Sequence, residues 1–143
     1  MIIENVLPED YSEMLNLWED SVRATHHFIT EEDIDFFKPI IIEQAFPAVT
    51  LKCIKNSSGL IVGFVGVDES KVEMLFISTA ERGKSIGKVL LQYAIKHLDV
   101  TKVDVNEQNP LAVGFYEHMG FKVISRSPID DMGKPFPILH MTL

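Results

Sequence analysis

The sequence predicts an α/β fold: one domain over residues 1–143, with a mixed central sheet of about seven strands flanked by about four helices. Three observations point there. Strand-like and helix-like periodicities alternate along the chain. Two apolar runs, 48–56 and 60–69, are joined by Asn56-Ser57-Ser58-Gly59, turn chemistry suited to an antiparallel hairpin. The 143 residues, 46% hydrophobic and 24% charged, suffice for one ordinary core and leave little room for a second.

Residues 1–7 mix Ile, Val and Leu and read as an opening strand, which Pro8 stops. Tyr11, Met14, Leu15, Trp18 and Val22 then fall on one face of an amphipathic helix. Thr30, with Asp33 three residues on, resembles an N-cap pair and starts a second helix toward Phe46, which Pro39 should bend or interrupt. After the hairpin, Lys71–Ile77 alternates as a strand, with Glu73, Leu75 and Ile77 on one face and Val72, Met74 and Phe76 on the other. Ile86, Val89, Leu90, Tyr93 and Ala94 keep helical spacing through Leu98. Lys102–Asn106 is a short strand, and Asn109–Met119 a helix closed by Gly120. Phe121–Ser127 and Pro137–Leu143 are the last strands. The order is β-α-α-β-β-β-α-β-α-β-β.

Composition excludes several functions. A net charge of −8, from 21 acidic against 13 basic side chains, argues against a nucleic-acid partner, because phosphate binding needs a cationic surface. The same acidity is compatible with a cationic small molecule without identifying one. The lone Cys53 excludes an intramolecular disulfide framework and a multi-cysteine zinc site. It reads as a small apolar strand residue, and the His26-His27 pair has no supporting cluster, so no metal is expected. No window approaches the ~18 apolar residues of a membrane span. The start, MIIENVLPEDY, lacks the basic and apolar regions of a secretory signal. A cytoplasmic protein without a membrane partner is the expectation.

The informative stretch is 75–88. A strand (Leu75, Phe76, Ile77) runs into a loop with Arg82, Gly83 and Lys84, and a helix begins near Ser85, followed by Ile86, Gly87 and Lys88. The first N–H groups of a helix lack intrahelical partners and carry partial positive charge, and small residues admit a phosphate to them. Arg82, Lys84 and Lys88 add cationic charge in an acidic chain. A diphosphate-bearing ligand is the physical reading. The plain alternative is a turn and an exposed helix start. A Walker A loop does not fit, since the second glycine comes one position too early, and the G-x-G-x-x-G turn of dinucleotide folds is absent.

Arg82-Gly83-Lys84-Ser85-Ile86-Gly87 resembles the R-G-x-G-x-G/A coenzyme A motif of the GNAT superfamily of N-acyltransferases. Downstream, the run from Asn106 to Phe121 is similar to that family's N-x-x-A-x-x-F-Y-x-x-x-G-F signature, through Asn109, Ala112, Phe115, Tyr116, Gly120 and Phe121. The motifs stand in the family's order and separation, and the element order is the family's over essentially the whole chain. The stretches 24–28, 105–109 and 133–137 resemble its small bacterial YjaB-like branch. Ser85 departs from the pattern: it occupies the motif's middle glycine, and a positive φ there would weaken coenzyme binding.

The resemblance implies direct transfer of an acetyl group from acetyl-CoA, the cosubstrate, to a primary amine of a small molecule or protein, with a homodimer compatible. It places the thioester beside main-chain groups of Phe76 and Ile77 on a splayed fourth strand, and makes Tyr116 the acid that protonates the departing thiolate. Leu75, Arg82–Lys88 and Asn109 would contact the coenzyme. The base is open. Glu73 is one candidate, directly or through water; Asn106 would orient substrate or a water but cannot itself be a base. His26, His27 and Phe28, between the first two helices, would face the acceptor. Each has a plainer reading, as a packed tyrosine, an ion-paired strand residue, a satisfied strand end or surface decoration. Asp130-Asp131 with Lys134 reads as a turn. Two alternatives to an acetyltransferase remain: a coenzyme A-binding sensor or regulatory module without significant turnover, and a nucleotide-phosphate binder or hydrolase.

Overall fold

The protein's structure, a computed structural model, describes residues 1–25 and 28–143. Seven strands form one sheet in the order β1-β2-β3-β4-β5-β7-β6. They are β1 (Ile3–Asn5), β2 (Thr50–Lys55), β3 (Ile61–Asp68), β4 (Lys71–Ile77), β5 (Lys102–Asn106), β6 (Lys122–Ser127) and β7 (Ile138–Thr142). The helices are α1 (Tyr11–Thr25), α2 (Glu31–Ile40), the single turn α3 (Phe46–Ala48), α4 (Ile86–His97) and α5 (Pro110–His118). The predicted architecture and element order stand. All neighbouring strands are antiparallel except β4 and β5.

Each face of the sheet carries its own core. On one face, α4 and α5 bring Ile86, Leu90, Leu91, Ala94 and Tyr116 against Val65, Val72, Val103, Val105 and Met141. On the other, Met14, Leu17, Trp18 and Val22 of α1 and Ile34 of α2 pack with Phe46, Leu51, Cys53 and Phe64. Cys53 is therefore a core residue, its thiol pushed up to about 11 by burial, and no reactive nucleophile. The Thr30–Asp33 capping pair forms as predicted, with reciprocal hydrogen bonds of 3.1 and 3.0 Å. Pro39 does not stop its helix. The chain stays helical beyond it, through a π turn over Ile41–Ala45 that leads into α3.

Strand β4 departs from simple alternation. Its register against β3 pairs Gly66 with Met74 and Val67 with Val72, so Glu73 is the extra residue of a β-bulge. The bulge shifts the parity. Val72 joins Leu75 and Ile77 on the α4 face, while Met74 and Phe76 face α1; the predicted grouping of Val72 with Met74 and Phe76 is corrected.

A second irregularity lies on the other edge of β4. Pairing with β5 covers only Lys71–Lys102 and Val72–Val103, whereas β5 goes on pairing with β7 as far as Asn106. From Glu73 to Ile77 the two parallel strands are apart, and a wedge opens between them. Gly63 seats α4 beside this wedge. A Cβ there would lie 2.8 Å from Ile86 Cγ2 and 3.1 Å from Leu90 Cδ1, so only glycine admits the helix this close.

Candidate active site

The loop after β4 turns sharply into α4 and leaves main-chain N–H groups facing a cavity. Gly83 has φ +82° and Ser85 φ +64°, two left-handed residues that swing the chain into α4. For Ser85 this is the strained geometry that favours glycine. Its side chain makes no capping hydrogen bond, and the first intrahelical bond runs from the Val89 N–H to the Ser85 carbonyl at 3.0 Å. The N–H groups at the start of α4 thus remain available. Arg82, Gly83, Ser85, Ile86, Gly87 and Lys88 line a cavity of about 480 Å³ together with Leu75, Phe76 and Ile77. Lys84 is not part of that lining: its ammonium pairs with Glu81 at 2.9 Å and stays largely exposed.

The far wall of this cavity comes from α5. Asn109 caps that helix, accepting from the Ala112 N–H at 3.3 Å, and lines the cavity with Ala112, Phe115 and Tyr116. Tyr116 is 7% exposed, its ring held edge-on between Phe115 and Phe121 at 5.2 and 5.7 Å. Burial lifts the phenol well above its usual range, so it keeps its proton throughout the neutral range.

The wedge holds a second, smaller cavity of about 200 Å³, lined by Glu73, Asp104 and Asn106 and sharing Leu75, Phe76, Asn109, Ala112 and Tyr116 with the first. The two spaces meet where β4 and β5 diverge, with Tyr116 on the wall of both. Main-chain geometry there follows from the ladder. Ser78 donates to the Val62 carbonyl at 2.8 Å, and hydrogen-bonded pairs alternate along antiparallel strands, so Phe76 and Met74 point their N–H groups at β3. The N–H groups of Leu75 and Ile77 face the wedge instead. The donor pair next to the gap is therefore Leu75 and Ile77, which moves the expectation for Phe76 by one residue.

Glu73 sits on the bulge with its side chain a third exposed, and desolvation raises its carboxyl above the ordinary range. Its described partner is the Lys71 ammonium at 3.5 Å. Asn106 spends its side-chain oxygen on the Gln108 N–H at 2.9 Å, in keeping with a satisfied strand end, though its amide still lines the smaller cavity. Phe28 stacks obliquely on Phe136 at 5.3 Å and lines a third space of about 230 Å³ with Thr25, Arg82 and Leu111, next to the larger cavity rather than beside Glu73. His26 and His27 lie outside the described residues. Asp130 forms the predicted turn, its Oδ1 accepting from the Met132 and Lys134 N–H groups at 2.9 and 2.8 Å. No group of three His, Cys, Asp or Glu side chains able to hold a metal occurs among the described residues.

Sequence reasoning missed Ser21, Thr25, Leu111, Ala112 and Phe115 as lining residues. Ser21 and Thr25 left a signal: they continue the buried stripe of α1 beyond Leu17 with small polar side chains, and Thr25 hydrogen-bonds back to the Ser21 carbonyl at 2.7 Å. Among the described residues, no helix is long and apolar enough to cross a membrane.

Comparisons with known proteins agree with this architecture. A family model described as an acetyltransferase (GNAT) domain matches residues 27–143. The peptidyl-lysine N-acetyltransferase YjaB of Escherichia coli K12 is 36% identical over 93% of this chain and 90% of its own length. The solution structure of apo-form YjaB from Escherichia coli superimposes with a TM-score of 0.87 at 34% identity, over 99% of this chain and 97% of the other. A PaiA N-acetyltransferase from Thermoplasma acidophilum, solved in complex with coenzyme A, shares the fold at 21% identity, with a TM-score of 0.72 over 99% and 98% of the two chains.

Proposed function

This chain belongs to the GNAT acetyltransferases, and from that premise we propose that it moves the acetyl group of acetyl-CoA onto the ε-amine of a protein lysine, across the wedge between β4 and β5. One observation carries the reading: two cavities of unlike character meet beside Tyr116, one walled by the start of α4 and apolar residues of β4 and α5, the other bearing carboxylates. Peptidyl-lysine is what the name of the relative YjaB specifies, and a lysine side chain is long and slender enough to enter a narrow cleft as a cation.

In this reading the N–H groups at the start of α4, with Arg82 and Lys88, hold the diphosphate of the coenzyme. Asn109, Leu111 and Phe115 flank its pantetheine arm. The Leu75 and Ile77 N–H groups stabilise the charge that develops on the thioester oxygen, a role for which fixed backbone donors cost no reorganisation during reaction. The attacking amine must be neutral, and Glu73 accepts its proton, directly or through a water. The amine nitrogen then bonds to the acetyl carbon as the carbon–sulfur bond breaks; Tyr116 gives its proton to the departing sulfur, and the second proton, shed by the new amide nitrogen, restores the phenol.

The test is incubation with acetyl-CoA and a panel of lysine peptides, peptide α-amines and small polyamines, with free thiol and product mass both measured. Thiol release matched by a lysine mass gain of one acetyl group supports the proposal. Coenzyme binding with no amine-dependent release would assign the chain to a binding module instead.

A further inference from the structure

The Glu73 carboxylate has a competitor for the acceptor amine inside the protein itself. The Lys71 ammonium, two residues away on the same strand, stands 3.5 Å from Glu73, too far for a tight charged hydrogen bond. It is held instead by Asp104 of β5, whose Oδ2 lies 3.0 Å from Nζ. The other carboxylate oxygen, Oδ1, lies 2.7 Å from His140 Nδ1 on β7, and His140 Nε2 lies 2.7 Å from Ser127 Oγ on β6. Asp104 and His140 are directly opposed in the β5–β7 ladder, so sheet register fixes this strap. Both Glu73 and Asp104 line the smaller cavity.

The charges are consistent with this division. Burial tends to raise the Asp104 carboxyl, but hydrogen bonds from His140 and Lys71 outweigh it and hold the group below the usual range. Burial raises Glu73, which Lys71 offsets only in part, and Asp104 and Asp68 push the same way as burial. One cation is shared unequally by two acids.

Resting on the reading of Glu73 as the group that takes the amine's proton, we infer that Asp104, anchored by His140, is a positioning residue: it draws the Lys71 ammonium to itself and so leaves the Glu73 carboxylate to the acceptor. Without the Asp104 charge, Nζ needs to move by less than an ångström, from 3.5 Å, to close on Glu73. A cation at hydrogen-bond distance lowers a carboxylate's pKa by about 1–3 units. Glu73 would then be a weaker base with its site blocked.

The experiment compares kcat against pH, and KM for a lysine peptide and for acetyl-CoA, in the wild type, Asp104→Asn, Asp104→Asn with Lys71→Met, Lys71→Met alone, and Glu73→Gln. Asp104→Asn is expected to lower kcat/KM for the peptide about tenfold and to move the acid limb of kcat down by about one pH unit, with KM for acetyl-CoA changed by less than about twofold. Adding Lys71→Met to it restores most of the loss, which repair of a purely structural defect would not do. Lys71→Met alone moves the acid limb upward, and this result does not depend on how well Asp104→Asn folds. An Asp104→Asn enzyme with wild-type rates and profile, a loss that Lys71→Met fails to relieve, or an unmoved limb in Lys71→Met overturns the inference. If Glu73→Gln is itself silent, the underlying assignment of the base fails; if Glu73→Gln is impaired and the Asp104 outcomes fail, only the positioning role is lost.

Discussion

The two cavities that meet at Tyr116 are built by different means. The larger, of about 480 Å³, sets main-chain groups at the start of α4 and the unpaired edge of β4 against apolar side chains of α5. The smaller, of about 200 Å³, takes its character from the side chains of Glu73, Asp104 and Asn106. A cosubstrate common to a whole family can be gripped by main chain, which changes little as the sequence changes. An acceptor particular to one enzyme has to be read by side chains. The comparison therefore separates what is expected to follow the fold from what is expected to follow individual residues.

The largest effect should come from Tyr116, one of the residues that both cavities share. Tyr116→Phe removes one oxygen from a packed ring and should lower kcat by about 10²–10⁴-fold, the range for loss of a general acid, with KM for acetyl-CoA nearly unchanged. Steady-state kinetics with a lysine peptide measures it; a large rise in that KM would assign the phenol to binding instead. Glu73→Gln tests the smaller cavity alone. With the carboxyl raised by burial, the wild-type acid limb should lie above the ordinary carboxylate range: below it Glu73 is protonated and accepts nothing, above it activity is full. The variant should lose about 10²-fold in kcat and lose that limb, as a kcat–pH profile would show.

Changes to the larger cavity should act through geometry. Gly63→Ala forces a methyl within 2.8 Å of Ile86 Cγ2 and should cost about 1–3 kcal/mol, visible in a denaturant melt, while raising KM for acetyl-CoA as the start of α4 shifts. Ser85→Gly should have the smallest effect and the opposite sign. Relief of the strain at φ +64° should stabilise by up to roughly 1 kcal/mol, about 3 °C in the thermal midpoint, because the gain is partly offset by a freer unfolded chain.

The same division governs what the sequence made legible. The bounds of Lys71–Ile77 and Lys102–Asn106 are legible in the letters: the first is rich in apolar strand formers between Ser70 and Ser78, and the second alternates without interruption. The turn into α4 is legible from Arg82, Gly83 and Lys88 at a strand-to-helix junction, and the strain at Ser85 from a missing glycine. The bulge at Glu73 is not legible there, since a continuous apolar run from Met74 to Ile77 carries no mark of an extra residue that turns Val72 to the other face. Nor is the strap from Lys71 through Asp104 and His140 to Ser127, which spans four strands and exists only once their register is set. Ser21 and Thr25 of α1 leave no mark in the apolar periodicity, because their side chains are polar.

The most direct test of the account is a single-turnover measurement of thiol release with acetyl-CoA bound in advance and a lysine peptide added, for the wild type and Tyr116→Phe. Amine-dependent release in the wild type, slowed by at least about 10²-fold in the variant at equal coenzyme occupancy, is the predicted result. Equal rates in the two proteins would show that chemistry does not take place beside this phenol, and the proposed route across the β4–β5 wedge would be wrong.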